Sequence, residues 1–342
     1  MLITTAARVT RDSLTTQETT SVRSLYFDRY GNSEVLSLRD VAKPELQPGR
    51  VLVQVHAASV NPLDWRLMKA EPFLVRLSLG LLKPKHTGLG ADFSGVVEAV
   101  ADDVPGFAAG DAVCGLMAPD LVGSFAEFAL VSTECLVHKP ASLTHQQACA
   151  LGVAGLTAYQ GIHDYRAIQH GDRVMINGAS GGIGTFAIPM AKALGAHVTA
   201  VCSGRNHDLV RALGADRVID YQREDITELS ETFDLVFDLI GQHRPSRMKR
   251  LLSENGKLVL ASAADGWGFL RAMLVSQKDD AVELIVELEK SASRLQQLID
   301  CVVTHQIEPV LDRTYALDDV IEAIDYVATK RARGKVVISI RG

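Results

Sequence analysis

Cysteine is scarce and unpaired in this 342-residue chain: Cys114, Cys135, Cys149, Cys202 and Cys301 are its five. None forms a Cys-x-x-Cys pair, and an odd number cannot build a complete disulfide framework, so reduced thiols in a cytoplasmic protein are expected. Long apolar runs are missing too. No stretch approaches the roughly 20 residues of a membrane span. Neither sign of charge dominates: 35 basic and 41 acidic residues leave a net charge of −6. That balance offers no general attraction to nucleic acid or to an anionic membrane, so neither is expected as a partner. No low-complexity linker or long-period repeat interrupts the chain. Residues 1–21 are rich in Thr and Ser and lack the compact apolar core of a secretory signal. Asp12 and Glu18 do not suit an organelle transit segment, and the stretch reads as a disordered tail.

Apolar residues make up 47% and charged residues 22%. This composition can bury a large core, and the length suggests about two domains. Residues 22 to about 145 read as short β-runs punctuated by Gly and Pro, such as Val51–His56, Gly95–Val100, Asp111–Gly115 and Gly123–Val131. Beyond that, helical stretches alternate with nearly continuous apolar strands at Arg173–Asn177, His197–Cys202, Arg217–Ile219, Asp234–Ile240 and Lys257–Ala261. Such strands belong to a sheet covered by helices on both faces. The fold class expected is α/β, with a Rossmann doubly wound parallel sheet. Gly195 and Gly214 each end a helix in the pattern Ala-Leu-Gly-Ala, as left-handed C-caps do. A helical stretch is expected around 280–304. A β-like piece at Glu308–Tyr315, an amphipathic helix at Asp318–Lys330 and a final strand at Lys335–Ile340 follow. A last strand that returns to the first unit would make that domain discontinuous. The expected division is a catalytic domain at 22–150 and 306–342, with a cofactor domain at 151–305.

The strongest chemical signal is the strand Arg173–Asn177 running into Gly178-Ala179-Ser180-Gly181-Gly182-Ile183-Gly184 and then a helix. A glycine pattern between a strand and a helix is the context a dinucleotide pyrophosphate requires. The turn is tight, its backbone can be approached closely, and the helix N-terminus presents free N–H groups to phosphate. Pro189 inside that helix predicts a kink or compensating packing beyond the first turn. An acidic residue at the end of the second strand normally holds the ribose of NAD. Here that strand ends Val201-Cys202-Ser203-Gly204-Arg205, with no carboxylate before Asp208. Ser203 and Arg205 offer a hydroxyl and a guanidinium to a 2′-phosphate, so NADPH is the cofactor expected. Ile240-Gly241 and Ala261-Ser262 follow the fourth and fifth strands, where ligands bind such sheets, and are expected to border the nicotinamide ribose.

Several ordered pieces carry a resemblance to a known family. They include Ala57-Ala58-Ser59-Val60-Asn61-Pro62-Leu63-Asp64-Trp65, Gly90-Ala91-Asp92-Phe93-Ser94-Gly95, Gly123-Ser124-Phe125-Ala126-Glu127-Phe128, and Gly155-Leu156-Thr157-Ala158-Tyr159. The glycine turn, Leu213-Gly214-Ala215-Asp216, Ile219-Asp220-Tyr221 and Gly334-Lys335-Val336-Val337 complete the set. The chain resembles the medium-chain dehydrogenase/reductase superfamily, in its zinc-free quinone oxidoreductase-like branch. The resemblance implies a chaperonin-10-like mostly-β domain beside the Rossmann domain, an active site between them, and a homodimer. It also implies that Asn61 lines the cleft near the nicotinamide with Asp64 close by, and that Thr157 and Tyr221 contact the cofactor. Other readings stand beside these roles: Asn61-Pro62 as a turn only, Asp64 as a structural carboxylate, Asp92 as a partner of a buried arginine or a cap of backbone amides, and Tyr221 as a strand-end aromatic. Lys335 either reaches the cofactor or lies on the surface.

Zinc-containing relatives hold the metal with a Cys, a His and a further Cys or Asp. Asn61 stands at the first of these positions and Gly90-Ala91-Asp92 replaces the Gly-His-Glu segment. No cysteine cluster lies between residues 93 and 113, so no metal is expected. Without one, hydrogen-bond donors must activate the substrate, which suits small-molecule electrophiles such as quinones and α,β-unsaturated carbonyls. Trp65, Phe73, Leu74, Trp267 and Phe269 are candidates for shaping an apolar pocket. The rival expectations are a zinc-free carbonyl or alcohol dehydrogenase and a non-catalytic NADPH-binding or redox-sensing protein.

Overall fold

The computed structural model describes residues 21–71, 76–117, 123–262, 266–285 and 288–341. Residues 1–20 of the tail expected at 1–21 and the pocket candidates Phe73 and Leu74 lie outside them, while Ser21, the last of that tail, already belongs to a strand. The first strands are β1 (Ser21–Phe27), β2 (Leu36–Ala42), β3 (Arg50–Val60), β4 (Asp92–Val100), β5 (Ala112–Leu116), β6 (Phe128–Ser132) and β7 (Leu136–His138). A second series follows: β8 (Arg173–Asn177), β9 (His197–Cys202), β10 (Arg217–Asp220), β11 (Phe233–Asp238), β12 (Leu252–Leu260) and β13 (Val282–Leu284). The chain finishes with β14 (Leu311–Ala316) and β15 (Lys335–Ser339).

Among the described residues the second series forms one sheet in the order β10-β9-β8-β11-β12-β13, with every pair parallel. This is the order of a doubly wound dinucleotide-binding sheet, whose switch point lies between β8 and β11. Successive residues of β8 explain the apolar runs. Val174 and Ile176 enter the cluster that holds the helices Leu156–His163 and Gly184–Ala193, while Met175 enters the cluster on the opposite face. Both sides of the strand are therefore out of water, and no polar face is left to alternate. The helix Gly184–Ala193 passes through Pro189 without a break. Gly195 and Gly214 take the left-handed φ values, +82° and +105°, that their C-cap role requires.

The stretch expected to be helical from 280 to 304 is divided instead. Val282–Leu284 becomes the edge strand β13, and the helix covers only Ala292–Thr304, with Ser291 as its N-cap accepting from the Arg294 N–H. The β-branched Val282 docks fully buried beside Leu258, and that packing overrides the helical bias of its neighbours.

The other large sheet runs β14-β15-β3-β4-β5-β7, with β6 paired on β3. β15 lies antiparallel on β3, with Val336 opposite Val60 and Ser339 opposite Ala57. The last strand therefore completes a sheet begun almost 300 residues earlier, and its first residue sits beside the end of β3, where the candidate site begins.

Candidate functional site

The glycine turn leaves β8 at Gly178, whose φ of +88° is a conformation that glycine reaches without a Cβ penalty. The N–H groups of Gly178 and Ala179 both donate to the Val201 carbonyl, which fixes the turn to the end of β9. A Cβ on Gly181 would meet nothing closer than the Gly178 carbonyl at 3.4 Å, so the approach to this part of the turn is open. The helix begins at Gly184 with Ile183 as its N-cap, and no side chain caps it. An open backbone turn leading to an uncapped helix N-terminus fits a pyrophosphate.

The turn also meets the other sheet. Gly334 N–H donates to the Ser180 carbonyl at 3.0 Å, and Gly181 and Gly334 form a parallel bridge. The next residue, Lys335, is only 3% exposed, so the surface alternative does not hold. Its stem passes within about a carbon–carbon contact of Gly182, and its Nζ donates to Asn61 Oδ1 at 2.7 Å and to the Val60 carbonyl at 3.3 Å. Asp92 Oδ2 lies 3.6 Å from the same Nζ and accepts from Asn61 Nδ2 at 2.9 Å and Ser59 Oγ at 2.6 Å. Asp92 Oδ1 accepts the Val153 N–H at 2.9 Å. Asp92 thus caps a backbone amide as expected, but its cationic partner is a lysine. Gly152 has to be glycine here, because a Cβ would fall 2.3 Å from Asp92 Oδ1.

These bonds change the reading of two expected residues. Asn61 accepts from Lys335 and directs its amide hydrogens to Asp92 and, at 3.3 Å, the Ser59 carbonyl. Its side chain holds the site together and has no spare donor for a substrate. Thr157 donates its hydroxyl hydrogen to the Val153 carbonyl at 2.7 Å, which leaves only lone pairs for a cofactor group.

Asp64 opens the helix Pro62–Lys69 that follows Asn61. Its carboxylate accepts the Asn61 N–H at 2.7 Å and the Gly90 N–H at 3.0 Å, the bonds of a structural carboxylate. Asp64 is nevertheless 1% exposed, and burial pushes its pKa up to about 7 against the pull of those two amides, with Asp92 adding to the rise. It also borders a cavity of about 230 Å³. Leu67, Leu79, Leu89 and Met117 make much of that wall apolar, and Tyr30, His86 and Lys290 add polar groups. Neither Trp65 nor the two α-helical aromatics Trp267 and Phe269 line it. Trp65 packs beside an apolar core, and Trp267 is 75% exposed.

At the other end of the turn, Asn206 joins two expected residues. Its Nδ2 donates to Ser180 Oγ at 2.8 Å and to Ser203 Oγ at 3.3 Å, and the residue is buried. Arg205 is exposed, and its Nη2 donates to the Arg331 carbonyl at 3.3 Å. Tyr221 stands 56% exposed nearby in sequence, at the end of β10. Ile240 lies over the turn, close enough that a Cβ on Gly178 would touch its Cδ1 at 2.9 Å. The N–H groups of Ile240 and Gly241 donate to Asp238 Oδ1, which also accepts from Asn177 Nδ2 at 2.8 Å. Those two amides are therefore committed and leave no free donor for the ribose expected there. Ala261 and Ser262 are half-buried, and the Ala261 N–H donates to the Asp238 carbonyl.

Asp92, Asn206, Asp238 and His86 were not assigned as site residues from sequence. Asp92 lay inside a quoted motif and Asn206 immediately after Arg205. Asp238 offered only a carboxylate after the apolar run Leu235-Val236-Phe237, an anomaly that could have marked it.

Comparison with known proteins agrees with this geometry. Residues 47–141 match the family model described as alcohol dehydrogenase GroES-like domain, and residues 213–338 match the one described as zinc-binding dehydrogenase. The chain is 34% identical over 365 residues to the mitochondrial NAD(P)H oxidoreductase RTN4IP1 of Mus musculus, covering 96% of this chain and 91% of that protein. It is 31% identical to the 2-methylene-furan-3-one reductase of Solanum lycopersicum, covering 90% and 76% respectively. The solved structure of the quinone oxidoreductase from Coxiella burnetii superposes with a TM-score of 0.84 at 31% identity, covering 94% of this chain and all 100% of the other. The chain is a member of the medium-chain dehydrogenase/reductase superfamily, built from a GroES-like domain and a Rossmann sheet, and its kin are oxidoreductases.

Proposed function

We propose that this protein is an NADPH-dependent oxidoreductase that reduces a quinone or an α,β-unsaturated carbonyl without zinc. One observation carries the reading: an open glycine turn contacts, through Gly334 and Lys335, the same Asn61 whose helix supplies Asp64 to an apolar cavity. The nicotinamide group, when bound, supplies a hydride. The chain does the rest. The turn at 178–184 and the following helix would hold the pyrophosphate, Ser203, kept in place by the buried Asn206, and Arg205 would take the 2′-phosphate, and Ile240 packs over the turn. The cavity excludes water from the reacting carbon, and Asp64 is the buried carboxyl best placed to hold a proton near neutral pH.

The reading without zinc rests on residue chemistry. At the position of the first metal ligand Asn61 is spent on Lys335 and Asp92, and Ala91 offers no donor. Among the described residues no three His, Cys, Asp or Glu side chains are grouped to hold a metal. The domain division at 22–150 with 306–342 and 151–305 is supported by the pairing of β15 with β3. A homodimer through the Rossmann edge is the assembly we favour, since among the described residues no strand pairs with the outer side of β13. Among the described residues no helix is long and apolar enough to cross a membrane. The five free cysteines suit a reducing compartment, of which the cytoplasm is one.

The test is consumption of NADPH, and separately of NADH, with a soluble quinone, an enone and a saturated ketone. Turnover of the first two and not the third is expected. Reduction of the ketone alone would favour the carbonyl or alcohol dehydrogenase reading, and cofactor binding with no turnover would favour a sensor. Arg205→Ala should weaken NADPH about tenfold or more, as loss of a charge-assisted phosphate contact does, and leave NADH nearly unchanged. Equal losses would remove Arg205 from the phosphate site.

A further inference from the structure

The segment 76–86 has two different faces. Leu79 and Pro84 turn inward and, with the exposed His86, line the 230 Å³ cavity. Leu77, Leu81 and Leu82 turn outward and are 72%, 55% and 90% exposed. Single exposed leucines are ordinary, but three within six residues, on the outer wall of an apolar cavity, make a patch. The segment is held in this arrangement. Tyr30, itself a cavity residue, donates its hydroxyl to the Gly80 carbonyl at 2.8 Å and stacks beneath the Arg76 guanidinium, 4.7 Å from the ring centre. The Lys85 N–H donates to the Leu79 carbonyl at 2.8 Å, closing the turn.

Charge on the segment is one-sided. From 76 to 86 it contains Arg76, Lys83, Lys85 and His86 and no acidic residue, in a chain whose net charge is −6. Lys83 and Lys85 are exposed, and among the described residues neither pairs with a carboxylate. Leucines for the acyl boundary beside lysines for the headgroups are the two components of an interfacial anchor. The whole-chain charge, which gave no reason to expect a membrane partner, averages this local excess away.

We propose that residues 76–86 dock the protein reversibly on an anionic lipid surface, through Leu77, Leu81 and Leu82 with Lys83 and Lys85. The cavity wall then rests on the bilayer, and a substrate with a long apolar tail passes from lipid to cavity without crossing water. The substrate half rests on the reductase reading above; the docking half does not. No membrane crossing is involved, and two short apolar and basic components give marginal, salt-sensitive binding.

The experiment is cosedimentation of the full chain with vesicles of phosphatidylcholine alone or mixed with phosphatidylglycerol. Binding about tenfold stronger to the anionic vesicles, lost at high salt, is expected from two lysines near the surface. Leu82→Asp and the pair Lys83→Gln with Lys85→Gln should each reduce it at least about fivefold. None of these side chains lines the cavity, so turnover of a water-soluble quinone should be unaltered while turnover of a long-tailed quinone in vesicles falls. No sedimentation with anionic vesicles, equal sedimentation with neutral ones, or binding indifferent to these variants would overturn the proposal. So would light scattering that shows a dimer dissolved by Leu82→Asp, since the patch would then be covered by a second copy. A wild-type protein that binds vesicles yet consumes no NADPH with any quinone or enone would sink the reductase reading and leave the docking intact.

Discussion

Asp64 is the residue at which folding and chemistry meet. Its carboxyl is held near a pKa of about 7, against an ordinary 3.8, chiefly because it is buried. The folded protein therefore binds that proton more tightly than the unfolded chain does, and between about pH 4 and pH 7 the contribution of this carboxyl to stability falls as pH rises. Asp64→Asn should flatten that slope in thermal melts taken from pH 5 to pH 8. An identical slope in the variant would show that Asp64 does not titrate in this range. His145 has the opposite sign. Burial, then His56 and Lys139, push its pKa down to about 4, with Ser94 Oγ 2.8 Å from its Nδ1. The unfolded chain takes up that proton first, so stability is lost as pH falls from about 6.5 to 4. The turn after β9 that carries Ser203, half-buried, and Arg205, exposed, was readable from the sequence. The Lys335–Asn61–Asp92 contact was not. Its members lie 31 and more residues apart, and only the pairing of β15, β3 and β4 joins them.

At the scale of elements, β8, β9, β11 and β12 were legible from their largely apolar runs, and two of the helices between strands from the glycines that end them, Gly195 and Gly214. The segment at 280–304 was misread because three residues of edge strand carry no periodicity of their own. The junction of β8 with its helix is closely packed. A Cβ on Gly184 would stand 2.5 Å from the Ala179 carbonyl oxygen and 2.6 Å from its carbon, both backbone atoms. Gly184→Ala should therefore cost about 1–3 kcal/mol, as overpacking against a fixed neighbour does. It should also weaken both pyridine nucleotides together, in contrast to Arg205→Ala. Denaturant unfolding and nucleotide titration on the same preparation check both effects. A variant as stable as the parent with unchanged affinity would show that the turn relaxes freely.

For the molecule as a whole, Gly334 joins the glycine turn to the other sheet, and the buried Lys335 beside it ties Asn61 and Asp92 together. Lys335→Met keeps most of the stem that packs on Gly182 but leaves Asp92 and Asn61 oxygens without their cation. Removing one member of a buried pair costs about 3–5 kcal/mol. Calorimetry should show that loss, and Lys335→Met combined with Asp92→Asn should cost less than the two single changes added together. Strict additivity would mean that the pair does not act as a unit.

Synthesis on the ribosome runs from the N-terminus, and the glycine turn emerges some 150 residues before Gly334. A nascent chain released at residue 305 would carry the whole parallel sheet, yet the Ser180 carbonyl would still lack the Gly334 N–H and Asn61 its ammonium. The seam between the glycine turn and the other sheet is thus closed only when nearly the last residues are translated, and prematurely terminated products arrive without it.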